Sequence, residues 1–300
     1  MMKPILPLLC ALTLPIGAAS AQQPAPGPLP NSAPVAPQQV RQVKPDIYMV
    51  AGAGGNVTIW VADRGLVLVD DKLGGEANFD TLVAAIRSVS TLPVIAVFNT
   101  HHHGDHIGNN ARFLDAKALV IGTDGLADRI AAAPAPANGA APPAPPNLLF
   151  SKDVSLVMAR GRVDAHHYIP GHTSGDAVIH FPAAHVVSTG DLLVAATPTI
   201  DYAGGANITG WIATLDEILK LDFDAAIPGH GDAPMPRADV LAFRGKLATF
   251  LDRARAAVKA GTPKEKLIGA VQASDLGWTW NANSWPAARL DGLWAEAGGA

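Results

Sequence analysis

Short apolar runs alternate with turn-forming clusters along the chain, and the period of each run predicts its structure. Residues 47–50 and 57–62 read as short strands, 63–65 (Asp-Arg-Gly) as a turn, and Leu66–Val69 as a strand that is apolar at every position. That strand ends at Asp70-Asp71. The period then changes: Leu82, Ile86 and Val89 share one face of a helix predicted over 79–89. Val94–Phe98 is continuous and mostly β-branched, the pattern of a strand covered on both sides, and it runs directly into Asn99-Thr100 and a cluster of histidines. A helix over 109–116 and a strand over 118–121 follow. Strand, polar loop, helix and strand in that order make an α/β unit with its loop at a strand's carboxyl end. Further strands are predicted over 154–158, 163–169, 177–181 and 186–188, and helices over 211–221 and 237–260.

Four stretches break this pattern. Residues 1–21 have the form of a cleavable signal peptide, with Lys3, an apolar run over 5–16 that is short for a membrane span, and Ala19-Ser20-Ala21 as the expected cleavage signal. Residues 22–41, rich in Pro, Ala and Gln, are expected to be a flexible tether. Residues 131–146, almost all Ala and Pro, are expected to be an exposed excursion inside the domain spanning 42–260. Residues 261–300 carry Trp278, Trp280, Trp285 and Trp294 and read as a packing tail. The leader implies a periplasmic or secreted protein with no stable membrane anchor.

Composition narrows the chemistry. Of 300 residues, 49% are hydrophobic and 16% charged, which suits a globular domain. The formal net charge is −4 and no Lys/Arg-rich run occurs, so a nucleic-acid partner is not expected and a small-molecule substrate is. Oligomeric state is not legible. The one cysteine, Cys10, lies in the leader, so the chemistry of the exported domain falls to His, Asp, Glu, Ser, Tyr and Lys.

The histidines supply the candidate. His101, His103, Asp105 and His106 lie within six residues, a pattern that chance gives in fewer than about one such chain in a thousand. In an extended loop residues 101 and 103 point the same way and can reach one ion, while Asp105 and His106, where the chain turns, can face a second. His172 and His230 follow Pro-Gly in short loops, and Asp191 follows Thr-Gly after a strand. These seven ligands exceed a four-coordinate structural site. They fit two ions, one at His101, His103 and His172, the other at Asp105, His106 and His230, with Asp191 bridging. Zinc suits imidazole and carboxylate ligands, with iron or manganese as alternatives. His166, His167, His180 and His185 are expected to be packed or solvated residues.

These residues resemble the metallo-β-lactamase superfamily: Asn99 to His106 with Gly108-Asn109, then Gly171 to Asp176, Gly190-Asp191 and Gly229-His230-Gly231. The resemblance covers residues 42 to about 255. It implies an αββα sandwich, two mixed sheets with helices outside and metals at one edge, and an early strand ending in a buried structural aspartate, here Asp70. Aspartate at 191, where the β-lactamases typically carry Cys or Ser, is similar to the glyoxalase II, lactonase and general hydrolase branches. Residues 200–205 resemble exported bacterial hydrolases. An iron persulfide dioxygenase shares the ligand types.

The expectation is therefore zinc-dependent hydrolysis of a small ester, lactone, thioester or related acyl substrate by hydroxide held between two ions, with Asp105 orienting the nucleophile and passing on its proton. The alternatives are a β-lactamase and, in another class, a metal-binding scaffold without catalysis. Tyr202, Asn207 and Lys72 are candidates for substrate contact that could equally be ordinary surface residues.

Overall fold

A computed structural model describes residues 37–134, 142–280 and 284–299. The expected signal peptide, residues 22–36 of the expected tether and residues 135–141 of the Ala/Pro stretch lie outside these residues.

Two mixed sheets form the centre. The first has the order β1 (Gln39–Lys44), β2 (Ile47–Ala51), β3 (Val57–Val61), β4 (Leu66–Val69), β5 (Val94–Phe98), β6 (Leu119–Thr123) and β7 (Leu148–Phe150). Its first half is an antiparallel meander, and from β4 onward the pairing is parallel. The second sheet runs β8 (Asp153–Met158), β9 (Gly161–His166), β10 (Val178–Phe181), β11 (Val186–Ser188), β12 (Ala225–Ile227) and β13 (Met235–Pro236). There β11 and β12 are parallel and the other pairs antiparallel.

Helices cover the outer faces. They are α1 (Glu76–Val89), α2 (Asn110–Asp115), α3 (Asp124–Ala132), α4 (Ile208–Ile218), α5 (Arg237–Lys259), α6 (Leu267–Ala270) and α7 (Ala287–Glu296). The Leu-Val-Leu-Val run of β4 shows why both faces must be apolar. Val67 and Val69 point inward with Phe98, Ile179 and Phe181 between the sheets, while Leu66 and Leu68 point outward against Leu82 and Ile86 of α1. On the far side, Val178, Val187 and Ala226 meet Trp211 and Leu215 of α4 and Phe243, Leu247 and Phe250 of α5. Each such side chain, fully buried, contributes about 1.5–3 kcal/mol. The layers therefore run helix, sheet, sheet, helix, the expected αββα order.

Several elements depart from the sequence expectations. β1 starts at Gln39, so the first sheet takes in the end of the stretch expected to be a tether. α3, β7, β12 and β13 were not anticipated. In the 261–300 segment, Trp278 and Trp285 are buried and stack around Phe250 of α5. Among the described residues no helix is long and apolar enough to cross a membrane.

Candidate metal centre

The carboxyl ends of β4, β5, β11 and β12 deliver the polar residues to a common place. Beyond β5, Asn99 still donates its N–H to Ile121 O, and the chain then turns so that His106 N–H reaches His103 O at 2.9 Å. β11 leads through Gly190 to Asp191, and β12 through Pro228-Gly229 to His230. His172 lies in the β9–β10 connection, which is wound around the buried Asp176: that carboxylate accepts from Gly171 N, Thr173 N and Thr173 Oγ1. Close approach demands two of the glycines. A Cβ at Gly190, where φ is +51°, would stand 2.3 Å from Thr100 Oγ1, and one at Gly229 would stand 2.0 Å from Asp191 Oδ1.

The structure brings all seven sequence-predicted residues together, in two groups beside each other. In the first, His103 Nδ1 is 3.1 Å from both His101 Nε2 and His172 Nε2. In the second, His230 Nε2 is 3.4 Å from His106 Nε2 and 3.3 Å from Asp105 Oδ2. Asp191 stands between them. Its Oδ2 lies 3.6 Å from His172 Nε2, and its Oδ1 lies 3.3 Å from His106 Nε2 and 3.4 Å from His230 Nε2.

Outer partners decide which ring nitrogen carries the proton. His172 Nδ1 donates to Thr199 O at 2.9 Å, and a carbonyl only accepts, so the lone pair is on Nε2. His103 Nε2 donates to Asp201 Oδ2 at 2.9 Å, which leaves the lone pair on Nδ1. For His101 the deduction needs one more step. Thr100 Oγ1 gives its single proton to Asp70 Oδ2 at 2.8 Å, so it must accept from His101 Nδ1 at 3.0 Å. Three lone pairs thus converge within van der Waals distance with no hydrogen to share. A tetrahedral shell of metal–nitrogen bonds of about 2.0–2.1 Å sets neighbouring donors about 3.3 Å apart, so the first group fits a zinc-sized cation. The second does too: Asp70 Oδ2 takes the His106 Nδ1 proton at 2.7 Å, and Asp191 Oδ1 is buried without a hydrogen-bond donor.

The electrostatics have the same sign. Burial, reinforced by neighbouring imidazoles, holds His101 well below the usual imidazole range and His172 down to about 4, so both are neutral donors at pH 7. Burial pushes the Asp191 carboxyl up, but the imidazoles of His106, His230 and His172 override it and keep the group well below the usual carboxylate range. Burial likewise opposes charge on His106, yet Asp191 and Asp70 raise it well above its ordinary value. The neighbouring carboxylates of Asp105 and Asp191 lift His230 to about 9. The negative field that favours a proton on these two rings favours a divalent cation in the same place, and the two compete.

The three substrate-contact candidates are committed elsewhere. Lys72 is 1% exposed, not a surface residue; its Nζ donates to Gly55 O at 2.8 Å, and burial pulls its pKa down to about 8. Tyr202 OH donates to Glu296 Oε2, and Asn207 Oδ1 caps α4 by accepting from Gly210 N. Of the other histidines, His166 pairs with Asp153, His167 donates to Asp176 O and His180 to Asp222 O, while His185 lies beside Asp222. Sequence reasoning assigned no role to Asp201 or Thr199. Their local signals are a Gly-bearing turn after a proline and, for Asp201, the resemblance over 200–205, neither of which assigns a role, and their importance depends on where that turn lands.

A family model described as the metallo-beta-lactamase superfamily matches residues 51–230. A hydroxyacylglutathione hydrolase of Nostoc punctiforme is 28% identical over 135 residues, 44% of this chain and 48% of that protein. The chain thus spans about half the length of that relative, and 38% of a second, from Crocosphaera subtropica. Metallo-beta-lactamase IND-1 of Chryseobacterium indologenes is 26% identical over 211 residues, 62% of this chain and 78% of that protein. Among solved structures, DIM-1 metallo-beta-lactamase superposes with a TM-score of 0.60 at 18% identity, over 72% of this chain and 99% of that one. The sec-alkylsulfatase Pisa1 from Pseudomonas sp. does so with a TM-score of 0.65 at 18% identity, over 87% of this chain and 50% of its own. At such identities the structural likeness speaks for the fold alone.

Proposed function

Because the chain belongs to the metallo-β-lactamase superfamily, we propose that it is a metal-dependent hydrolase of a small ester, lactone, thioester or related acyl substrate, working with two ions, zinc in the first place. The observation that carries this reading is the pair of donor sets on either side of Asp191, with outer partners turning the lone pairs of His101, His103, His106 and His172 inward. His101, His103 and His172 would hold one ion, Asp105, His106 and His230 the other, and Asp191 would touch both. Such ions, when bound, supply Lewis acidity toward an acyl carbonyl and toward water.

The chain's own residues set the rest. The inner ligands His101, His106 and His172 are buried, while the side chains of His103, Asp105 and His230 are 26%, 31% and 39% exposed and mark the side open to substrate. Asp105 is the open carboxylate. It is held ionised below its ordinary value, against the effect of burial, by its hydrogen bond to His230. It is placed to accept a proton from an attacking water and return it to the leaving group. The thioester option is supported by the hydroxyacylglutathione hydrolases among the relatives, and an exported setting would follow if the leader expected at residues 1–21 is cleaved.

A β-lactamase is the second reading. IND-1 favours it, since that match covers more of both chains, and Asp191 in place of Cys or Ser weighs against it. The test is metal analysis of the purified protein together with a panel of aryl esters, lactones, thioesters and a chromogenic cephalosporin, each run with and without chelator. Chelator-sensitive acyl hydrolysis without cephalosporin turnover is expected. Cephalosporin turnover alone would promote the second reading, and two ions per chain with no turnover of any substrate would leave a metal-binding scaffold.

A further inference from the structure

Two of the histidines take their orientation from a single loop. Thr199 O fixes His172 and Asp201 Oδ2 fixes His103, so residues 197–207 hold two of the three imidazoles of the first donor set. The second set does not touch this loop through its fixed ring: His106 is oriented by Asp70, at the end of β4 in the first sheet.

The loop in turn is held by the C-terminal segment, at both ends. At its start, Thr279 N donates to Thr197 Oγ1 at 3.0 Å and Trp280 Nε1 to Pro198 O at 3.2 Å. At its end, Glu296 of α7 collects four donors. Its Oε2 accepts from Tyr202 OH and Ile208 N, at 2.8 and 3.0 Å, and its Oε1 from Thr209 N and Thr209 Oγ1, at 2.6 and 2.8 Å. One carboxylate thereby caps the start of α4 and anchors the residue next to Asp201. α7 can lie this close because its residue 292 is glycine: a Cβ there would stand 2.2 Å from Tyr202 Cγ. Within the loop, Ala206 N donates to Asp201 O and Gly205 N to Tyr202 O, so the turn is braced internally.

We infer that the C-terminal segment is part of the metal centre's outer shell: through the clamp of Glu296 on Tyr202 and of Thr279 and Trp280 on residues 197–198, it aims His103 and His172, and so tunes one of the two metal positions selectively. Glu296 and Asp201 are positioning residues. This rests on the reading that His101, His103 and His172 hold an ion. The segment is joined to residues 197–209 by hydrogen bonds and to α5 by the apolar packing of Trp278 and Trp285.

The experiment is a Zn2+ titration of the full chain in competition with a chromophoric chelator. Wild-type protein is compared with Asp201→Ala, Asp201→Asn, Glu296→Ala and Glu296→Gln. Loss of an outer partner typically costs a metal site 10–100-fold in affinity. Asp201→Ala and Glu296→Ala should weaken one of the two Zn2+ ions by about 10–100-fold and leave the other within about twofold. Asp201→Asn should recover part of the loss, because its amide oxygen still accepts from His103 Nε2. Glu296→Gln keeps the side chain's size and one full acceptor, and serves where the alanine variant fails to fold, with a smaller shift of the same ion. Nitrogen-detected imidazole spectra supply a second readout, in which Asp201→Ala should cost His103 its single protonated-Nε2 form. Equal weakening of both ions, or no change in either, overturns the inference. A wild-type protein that takes up no Zn2+ overturns the metal reading itself, which separates the two failures.

Discussion

At the scale of the residue, Asp70 has two tasks. It accepts from Thr100 N, Thr100 Oγ1 and His106 Nδ1, and so sets His101 in one donor group and His106 in the other. It does this from a left-handed backbone with φ of +62°, a conformation that Asp tolerates better than most residues and that three hydrogen bonds hold in place. The sequence marks it as a structural aspartate, but its reach to both groups is visible only in three dimensions. Removing a buried partner of this kind costs about 3–5 kcal/mol. Asp70→Ala should therefore lower the urea-unfolding free energy by about that much even under saturating chelator, and weaken both metal ions together. Asp105→Ala should behave oppositely, with a thermal midpoint under saturating chelator close to that of wild type and acyl-hydrolase turnover abolished, because its part-exposed carboxylate serves the site. Near-normal turnover in that variant would remove Asp105 from the mechanism. The seven candidate residues were legible because a dense cluster of His and Asp at 101–106 is improbable by chance and because His172, Asp191 and His230 sit in glycine-bearing turns. Asp201 and Thr199 were not, since a lone aspartate and a backbone carbonyl gain meaning only when a distant turn brings them to an imidazole. Lys72 was misjudged for a related reason: lysine is so seldom buried that sequence favours the surface.

At the scale of the element, continuous apolar runs such as Leu66–Val69 announced themselves, because strands with both faces covered have no polar positions to blur the signal. β1 was missed because QVRQVK is an edge strand whose exposed polar and charged positions blur the apolar pattern. β12 and β13 have three residues and two, too short to show a period. Helices α4 and α5 were legible from their apolar faces, and the structure adds the pair that ties them: Arg244 Nε and Nη2 meet Asp216 Oδ1 and Oδ2 at 2.9 and 2.8 Å. Arg244 holds the Asp216 carboxyl below its ordinary value. A depressed carboxylate contributes stability that is present above its unfolded pKa, near 4, and is lost as pH falls through the folded value. The pair is half-buried at the surface and open to solvent screening, so its contribution is about 0.2–1 kcal/mol. Arg244→Ala should lower the thermal midpoint by at most about 4 °C at pH 7, by less in 1 M salt, and by progressively less as pH falls through the folded value of Asp216. A difference that does not shrink as the Asp216 carboxyl takes up its proton would mean that Arg244 acts through packing of its stem instead.

For the whole molecule, the candidate centre lies where the two sheets meet at their carboxyl-end loops. His101, His103, Asp105 and His106 come from the first sheet, and His172, Asp191 and His230 from the second. Each donor group draws on both sheets, so an ion in either position would add a further tie between halves of the sandwich already held by the apolar layer and by hydrogen bonds such as Asn56 N to Gly229 O and Ala177 N to Thr100 O. Metal binding is then folding free energy as well as chemistry. A ligand present at a thousand times its dissociation constant stabilises the native state by about 4 kcal/mol, and for a domain of this size each kcal/mol moves the thermal midpoint by about 2–4 °C. Chelation should therefore lower the midpoint by roughly 10 °C per tightly held ion. The loss should be visible by hydrogen exchange on both sides at once, in the loop after Phe98 and in the loops carrying His172, Asp191 and His230. Amides at the opposite ends of the same strands should stay protected. Were the ions held within one sheet's loops, exchange would rise on that side alone while the other remained protected. Adding zinc back should restore protection on both sides together, since neither half supplies a complete donor set by itself.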